Sequence, residues 1–329
     1  MSKVAPSTER TVLSYVPGLL FLAALAIAPL LMLYLGKPFW LDVFTRLVIL
    51  AIAATSLNLL LGVAGLASLG HAAYIAIGAY AVGIPAYHET YGGLDWLSSY
   101  NGWVHLLLGL GVCALFALIT GAISLRAKGV HFIMITMAFS QMVYYALVSL
   151  EEYGGDDGLS VDLQSEFQWL ALDNPTALFM LCYVSLLVVL YGMHRLKNSQ
   201  FGKVLQAARQ NETRVSSLGI DPYRYQLLAF VIAGVIAGYA GFLMANFSLF
   251  ISPSIVEWSR SGELMFMIIL GGLSTLVGPA LGAAAFVLLE YSLSRITIYW
   301  HLPFGLLLLF IVLFGRGGLI GILRGNKSE

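Results

Sequence analysis

Charge is what this sequence has least of. Aspartate, glutamate, lysine and arginine make up 10% of the 329 residues and balance to a formal net charge of zero. Soluble domains carry roughly a quarter charged residues, so a surface facing water on every side is excluded, and the neutral balance gives no footprint for a nucleic-acid partner. Cysteine is almost absent. Cys113 and Cys182, the only two, each lie inside an apolar run, which excludes a CxxC pair and a framework of extracellular disulfides; they read as lipid-level or packing thiols. A GxxxxGK[ST] loop is missing: Gly36-Lys37 is followed by proline, and Gly202-Lys203 by valine without a glycine-rich turn before it. ATP hydrolysis through a P-loop is thereby excluded. The six histidines, at positions 71, 88, 105, 131, 194 and 301, show neither HExxH spacing nor pairing with cysteine, so no metal site is expected. A membrane-embedded enzyme would need a nucleophile with its base, a metal cluster or paired deep acids, and none can be assembled.

What is present is apolar. The hydrophobic fraction is 59% and the mean hydropathy +0.86, gathered into nine runs: Tyr15 to Leu35, Phe44 to Leu61, His71 to Tyr87, Val104 to Leu125, Val130 to Leu150, Ala177 to Leu196, Leu227 to Phe247, Leu264 to Tyr291 and Ile296 to Phe314. Most approach the ~20 residues that a helix needs to cross a bilayer. The fold class is therefore an all-α polytopic membrane bundle of eight to ten transmembrane helices. Lys3 and Arg10 before an apolar stretch with Ala26-Ile27-Ala28 superficially resemble a signal peptide, but Pro29 would follow the cut and the run continues through Leu33. An uncleaved first helix fits better.

The run from Leu264 is interrupted by Gly271-Gly272 and by Gly278-Pro279. Proline removes a helix donor and restrains the residue before it, so this region is read as two short helices or a re-entrant hairpin inside the bundle, where broken backbone is tolerated. Two loops set the orientation. The segment Glu151 to Pro175 carries Glu151, Glu152, Asp156, Asp157, Asp162, Glu166 and Asp173 with no lysine or arginine, whereas Arg195, Lys197, Lys203, Arg209, Arg214 and Arg224 outnumber Glu212 and Asp221 in the next loop. The positive-inside rule puts the first outside and the second in the cytoplasm. Lys3 and Arg10, Arg126 and Lys128, and the Arg316, Arg324, Lys327 tail also fall inside, so both termini are expected in the cytoplasm. The resulting map is a cytoplasmic segment 1–14, a membrane domain 15–315 with an acidic outer loop 151–175 and a basic inner loop 197–225, and a cytoplasmic tail 316–329.

Candidate functional residues are few. Asp42 and Arg46 are spaced for an i,i+4 salt bridge near the headgroups, and Glu290, five residues before Arg295, is placed to reach the interface. Deep acids or a proton relay are lacking, so energy is expected from outside the chain. Uncharged polar residues, including Thr55, Ser56 and Asn58 in the second run and Thr136, Ser140 and Gln141 in the fifth, could line a pathway; Thr136 and Ser140 share a helix face, which serves a cavity lining or a bond between helices equally. Small residues at four-residue spacing, Gly234 with Gly238 and Ala233, Ala237 and Gly241, suit close helix contact. In the basic loop, Gly202 to Pro222 predicts a short amphipathic helix with Val204, Ala208, Val215 and Leu218 on one stripe, Asn211 as its polar exception, Arg209, Glu212 and Arg214 available to solvent or a partner, and Gly219 as the ending cap. It is either an interfacial helix or a docking helix.

Several motifs resemble a known family. Ser56 to Gly83, with Ser-Leu-Gly-His at Ser68 to His71, is similar to the glycine-rich second and third helices of the permease subunits of ABC importers for branched-chain amino acids, the LivM-type half in particular. Arg126 to Met137 followed by Gly154-Gly155-Asp156-Asp157-Gly158-Leu159 resembles that family's fifth helix and outer Gly-Gly-x-x-Gly loop. Ala207 to Gly219 resembles its coupling helix, and Ile269 to Leu273 with Gly278-Pro279 its Leu-Gly-Gly and Gly-Pro signature. The four occur in the family's order. The loop departs from the EAA motif of many importers, since Gln206-Ala207-Ala208 replaces Glu-Ala-Ala.

The resemblance implies a multi-pass permease of the bacterial inner membrane with no catalytic residues or cofactor of its own. ATP and magnesium would be bound by two cytoplasmic P-loop ATPase subunits, beside a homologous LivH-type second permease and a periplasmic or extracellular solute-binding protein. By the same analogy Arg209, Asn211, Glu212, Leu218 and Gly219 would meet the ATPase, Gly154, Gly155, Asp156, Asp157 and Gly158 the binding protein, and Asn58, Ser68, His71, Thr136, Ser140 and Gln141 the pathway. Related permeases are associated with urea, short amides and aromatic acids, which stay open as cargo. The competing reading is an autonomous secondary transporter that holds an ion or substrate at the broken helix around Gly271, Gly272, Gly278 and Pro279.

Overall fold

The apolar runs are largely helix, the eighth broken after Gly271 and the ninth helical from His301, and the polar side chains of Asn101, Asn174 and Asp221 cap the starts of three helices. The computed structural model of the chain describes residues 7–94, 98–168, 171–273, 275–299, 301–314 and 318–323; Lys3, Arg316, Arg324 and Lys327 lie outside the described residues. Helix α1 (Ser7–Tyr34) starts ahead of its apolar run, within the segment expected to be extramembrane. Helix α2 (Phe39–Asn58) runs on into a π-helical turn, Leu59–Ala64, closed by Gly65 in the left-handed conformation. There follow α3 (His71–Tyr91), α4 (Gly102–Ser124), α5 (Val130–Val148) and α6 (Pro175–Asn198). Asn101 and Asn174 cap α4 and α6, each side chain accepting from the backbone N–H two residues on, and Pro175 occupies the first turn, where no donor is needed.

Short helices α7 (Gln200–Gln210) and α8 (Glu212–Ser217) precede α9 (Pro222–Ser248), whose cap is Asp221. The chain closes with α10 (Trp258–Gly271), α11 (Gly278–Ser294), α12 (His301–Phe314) and α13 (Gly318–Leu323). Residues 318–323, within the segment expected as a cytoplasmic tail, lie against the bundle: Gly318, at φ +67°, brings its backbone against Gly272, and Leu319 packs on the core. The physical reason is composition, for Gly-Leu-Ile-Gly-Ile-Leu carries no charge to hold it in water.

Among the described residues, five helices are long and apolar enough to cross a membrane, the stretch Phe39–Ala64 and α4, α5, α6 and α9. The apolar window of Phe39–Ala64 is 89% buried and that of α5 17%, so α2 is the central post and α5 a rim helix. Helix α3 is less apolar, rich in alanine, glycine and tyrosine, and almost wholly buried; protein, not lipid, covers it.

The α3–α9 seam is backbone against backbone. A methyl group placed at Gly78 would stand 2.0 Å from the Gly238 carbonyl oxygen, and one at Gly241 would stand 1.9 Å from that of Ile75. Ala233 and Ala237 are fully buried on the same helix, so the small-residue spacing serves close contact. Cys113 and Cys182 are buried free thiols.

The broken run forms a hairpin. Helix α10, at 14 residues, extends about 21 Å, short of the ~30 Å hydrocarbon layer. It turns at Gly272 (φ +119°) and returns as α11, with Gly271 and Gly282 packed directly on the facing backbone. The hairpin runs alongside α2: Glu290 of α11 bonds Arg46, and the carbonyl of Thr275 in the turn accepts from Asn58.

Helix α6, 24 residues long, separates the acidic segment from the basic loop by about 36 Å, which gives the bundle an acidic end and a basic end. At the acidic end the loop is folded, not free. Strand β1 (Leu159–Ser160) pairs antiparallel with β2 (Phe250–Ile251), just past α9. Ser165 N–H donates to Asn246 Oδ1 at 2.8 Å, His105 Nδ1 lies 2.8 Å from Ser165 Oγ, and His88 Nε2 lies 3.0 Å from Tyr153 Oη.

Candidate functional site

A belt of buried polar groups surrounds the gap between the π turn and α3, where residues 65–70 are not helical. π turns and broken backbone inside a bundle often mark functional positions. Gly70 is required there: a methyl group at that position would meet the Thr136 carbonyl oxygen at 2.4 Å. Thr136 Oγ1 accepts from Leu69 N–H at 3.3 Å, and Ser261 Oγ of α10 accepts from Ala72 N–H at 3.0 Å. Ser56 Oγ donates to the Ala53 carbonyl and lies 2.7 Å from His71 Nε2. With the hydroxyl proton engaged, His71 Nε2 carries the ring proton, and its Nδ1 is a buried acceptor with no partner among the described residues.

The pathway candidates are thus partly assembled. Ser68, His71 and Thr136 lie around this gap, and Asn58, bonded to the hairpin turn, has its Oδ1 without a partner among the described residues. Ser140 is buried too, but its hydroxyl is engaged by the Val256 carbonyl at 2.8 Å, and Gln141 is only half-buried. Thr136 and Ser140 thus tie α5 to the gap before α3 and to the short turn before α10. Ser261 was not indicated by spacing, because it belongs to this belt only through the fold.

At the basic end the expected single helix is two. Asn211 adopts an extended conformation (φ −160°, ψ 101°), ends α7 and caps α8, its Oδ1 accepting from Arg214 N–H at 2.9 Å. The polar exception in the stripe is therefore the break itself. Leu205, Ala208 and Val215 are buried, while Leu218 is 74% exposed at the end of α8, followed by Gly219 at φ +81° with open space around it.

Arg209 and Glu212 point back into the bundle. The Arg209 guanidinium donates to the Gly62 carbonyl in the π turn, and its stem covers Gly65, where any methyl group would strike it. Glu212 bonds Lys128 from the α4–α5 loop and accepts from Gln226 Nε2 of α9 at 3.0 Å. Burial alone would raise the Glu212 carboxyl, but the bonds from Lys128 and Gln226 outweigh it and hold the pKa below the ordinary value. The α7–α8 joint is thus fastened to α2, to the α4–α5 loop and to α9.

At the acidic end Gly154, Gly155 and Gly158 all have positive φ, and a methyl group at Gly154 would lie 2.0 Å from the Gly158 carbonyl oxygen. They build the turn that presents Asp156 and Asp157, which are exposed.

The ion pairing in the membrane domain differs from the local reading. Arg46 bonds Glu290 at 3.0 Å, not Asp42, which is exposed, and Arg295 lies over the Tyr291 ring at 4.6 Å. A side chain two turns into α2 faces its neighbours more readily than it curls back along its own helix. Arg46 also lines a cavity of about 140 Å³ between α2, α3, α9 and α10, together with Arg260, Glu263, Ile49, Leu264 and Met267. Neither Arg260 nor Glu263 stood out in the sequence; their signal is an i,i+3 charge pair at the start of α10.

No solved structure matches this chain. Curated relatives do. The chain is 28% identical to the high-affinity branched-chain amino acid transport system permease protein LivM of Salmonella typhimurium, over 93% of this chain and 75% of that protein. It is 27% identical to the LivM of Escherichia coli over the same shares, and 26% identical to a probable branched-chain amino acid transport permease protein LivM of Methanocaldococcus jannaschii, over 82% of this chain and 89% of that protein. The profile described as branched-chain amino acid transport system / permease component matches residues 39–315, from the first turn of α2 past the end of α12. With a bundle of apolar helices, a helix-gap belt and a fastened basic-end joint in place, the chain belongs to that family of multi-pass membrane permeases.

Proposed function

We propose that this chain is the LivM-type permease subunit of an ATP-driven importer of branched-chain amino acids in the bacterial inner membrane. The acidic end faces the binding protein and the basic end faces the cytoplasm, as the positive-inside rule requires. A LivH-type second permease completes the membrane unit. Two P-loop ATPases beneath it bind ATP and magnesium.

The observation that carries this reading is the α7–α8 joint. It offers one exposed apolar residue, Leu218, to a partner, while Arg209 and Glu212 bind three parts of the bundle. An ATPase that moves α8 would pull on α2, α9 and the α4–α5 loop together. On this view Leu218 and Gly219 enter the ATPase groove, Asn211 is the elbow, and Arg209 and Glu212 transmit the movement. The selectivity of uptake resides largely in the binding protein, docked on Asp156 and Asp157.

The test is Leu218→Asp in the assembled transporter. Import of leucine and co-purification of the ATPases should both collapse while the permease stays folded in the membrane. Full import with intact co-purification would place the joint elsewhere.

A further inference from the structure

The cavity between α2, α3, α9 and α10 combines two features that rarely occur together in a membrane bundle. Its closed side is apolar: Ile49 and Leu264 are 2% exposed and Met267 is fully buried. Its open side carries both signs of charge, with the side chains of Arg46, Arg260 and Glu263 remaining 39%, 49% and 23% exposed. Charged residues in a membrane domain are costly, and where they persist they pair or mark a substrate path.

The cavity, about 140 Å³, is many times the ~10–15 Å³ that a single water needs on the same measure. A four-carbon aliphatic side chain is accommodated there against the apolar wall. The head group of such a ligand would then stand at the mouth among the charges. An α-amino acid presents there one carboxylate and one ammonium, the complement of an arginine beside a glutamate. Arg260 and Glu263 are 3.1 Å apart in a partly buried i,i+3 pair, and a zwitterion can replace each partner by an equivalent charge of its own. Arg46 is different, because Glu290 already holds it at 3.0 Å and anchors α2 to α11.

We propose that this cavity is a binding site in the permease itself for a zwitterionic aliphatic α-amino acid. Arg260 takes the carboxylate, Glu263 takes the ammonium, and the side chain lies against Ile49, Leu264 and Met267. The inference rests on the reading of the chain as a branched-chain amino acid permease. It adds that the permease inspects its cargo, with selectivity separate from that of the binding protein.

The test uses the assembled transporter in nanodiscs without binding protein, with radiolabelled leucine as the probe and unlabelled competitors. Wild type should bind leucine saturably and ignore 4-methylpentanoate, which lacks the amino group, and isopentylamine, which lacks the carboxylate. Glu263→Gln and Arg260→Gln should each weaken leucine binding roughly 10- to 100-fold, the loss expected of one charge-assisted bond. Glu263→Gln should also narrow the gap between leucine and 4-methylpentanoate. Ala53→Leu, which fills the closed side of the cavity, should invert the preference from leucine to alanine, a ratio that poor folding would not produce. A complex that imports leucine but shows no saturable binding, or variants with unchanged affinities and ratios, would overturn the site. A wild-type complex that imports another solute and no aliphatic amino acid would overturn the underlying reading instead.

Discussion

The α3–α9 seam is among the tightest constraints in the bundle, and one methyl group probes it. In Gly241→Ala the new Cβ would start 1.9 Å from the Ile75 carbonyl oxygen, where ordinary contact begins at 3.4 Å; the helices must part by the difference, about 1.5 Å. Sliding does not help, because Gly78 already stands against the Gly238 carbonyl one turn away. A gap of 0.5–1 Å forfeits a quarter to a half of each dispersion contact, which puts this substitution near the upper end of the ~1–3 kcal/mol for overpacking. Alanine's better helix propensity returns ~1 kcal/mol, leaving a net loss of about 2 kcal/mol. In detergent the melting midpoint of Gly241→Ala should fall by on the order of 4 °C. Gly111→Ala and Gly192→Ala, where an added methyl meets nothing within 4 Å, should match or slightly exceed wild type. If Gly241→Ala melts with these two controls, the backbone-to-backbone seam is wrong.

Three further outcomes follow from single contacts. Glu290→Gln should lower thermal stability by leaving Arg46 unpaired, whereas Asp42→Asn should leave the melting curve unchanged; the reverse order would restore the local i,i+4 pair. Asn211→Ala should cost about 1 kcal/mol through loss of the α8 cap, and import should fall while ATP hydrolysis by the assembled complex continues. Glu212 has its carboxyl pKa held below the ordinary 4.5, so its contribution is present above pH 4.5 and lost as pH falls through the lowered folded value. The group is 33% exposed, so this contribution stays under about 1 kcal/mol. Wild type should therefore melt slightly above Glu212→Gln at neutral pH, with the gap closing at more acidic pH; a constant gap would refute the ion pair.

The positions of the membrane helices could be read from the sequence because a spanning helix must be apolar over nearly its whole length, a signal that needs no partner. The Gly-Gly and Gly-Pro interruption could be read for a similar reason, since backbone chemistry alone forbids an unbroken helix there. Asn211 was harder: the apolar periodicity continues on either side of it, and only its turned-back side chain reveals that one helix is two. The Arg46 to Glu290 bond joins residues 244 positions apart, so nearest-neighbour spacing favoured Asp42 instead. Arg260 and Glu263 were missed for the same reason, as their significance comes from the apolar wall that α2 and α9 place beside them. Arg209 shows the converse: a charge in a basic loop reads as exposed, and it is, but the π turn also supplies it a carbonyl acceptor that no periodicity indicates.

The most direct test of the whole account is uptake of labelled leucine into proteoliposomes, comparing the chain alone under an imposed proton or sodium gradient with the complete assembly of two permeases, two ATPases and binding protein. The account predicts no uptake by the chain alone and leucine uptake by the assembly that requires ATP. Gradient-driven uptake by the chain without any ATPase would contradict it.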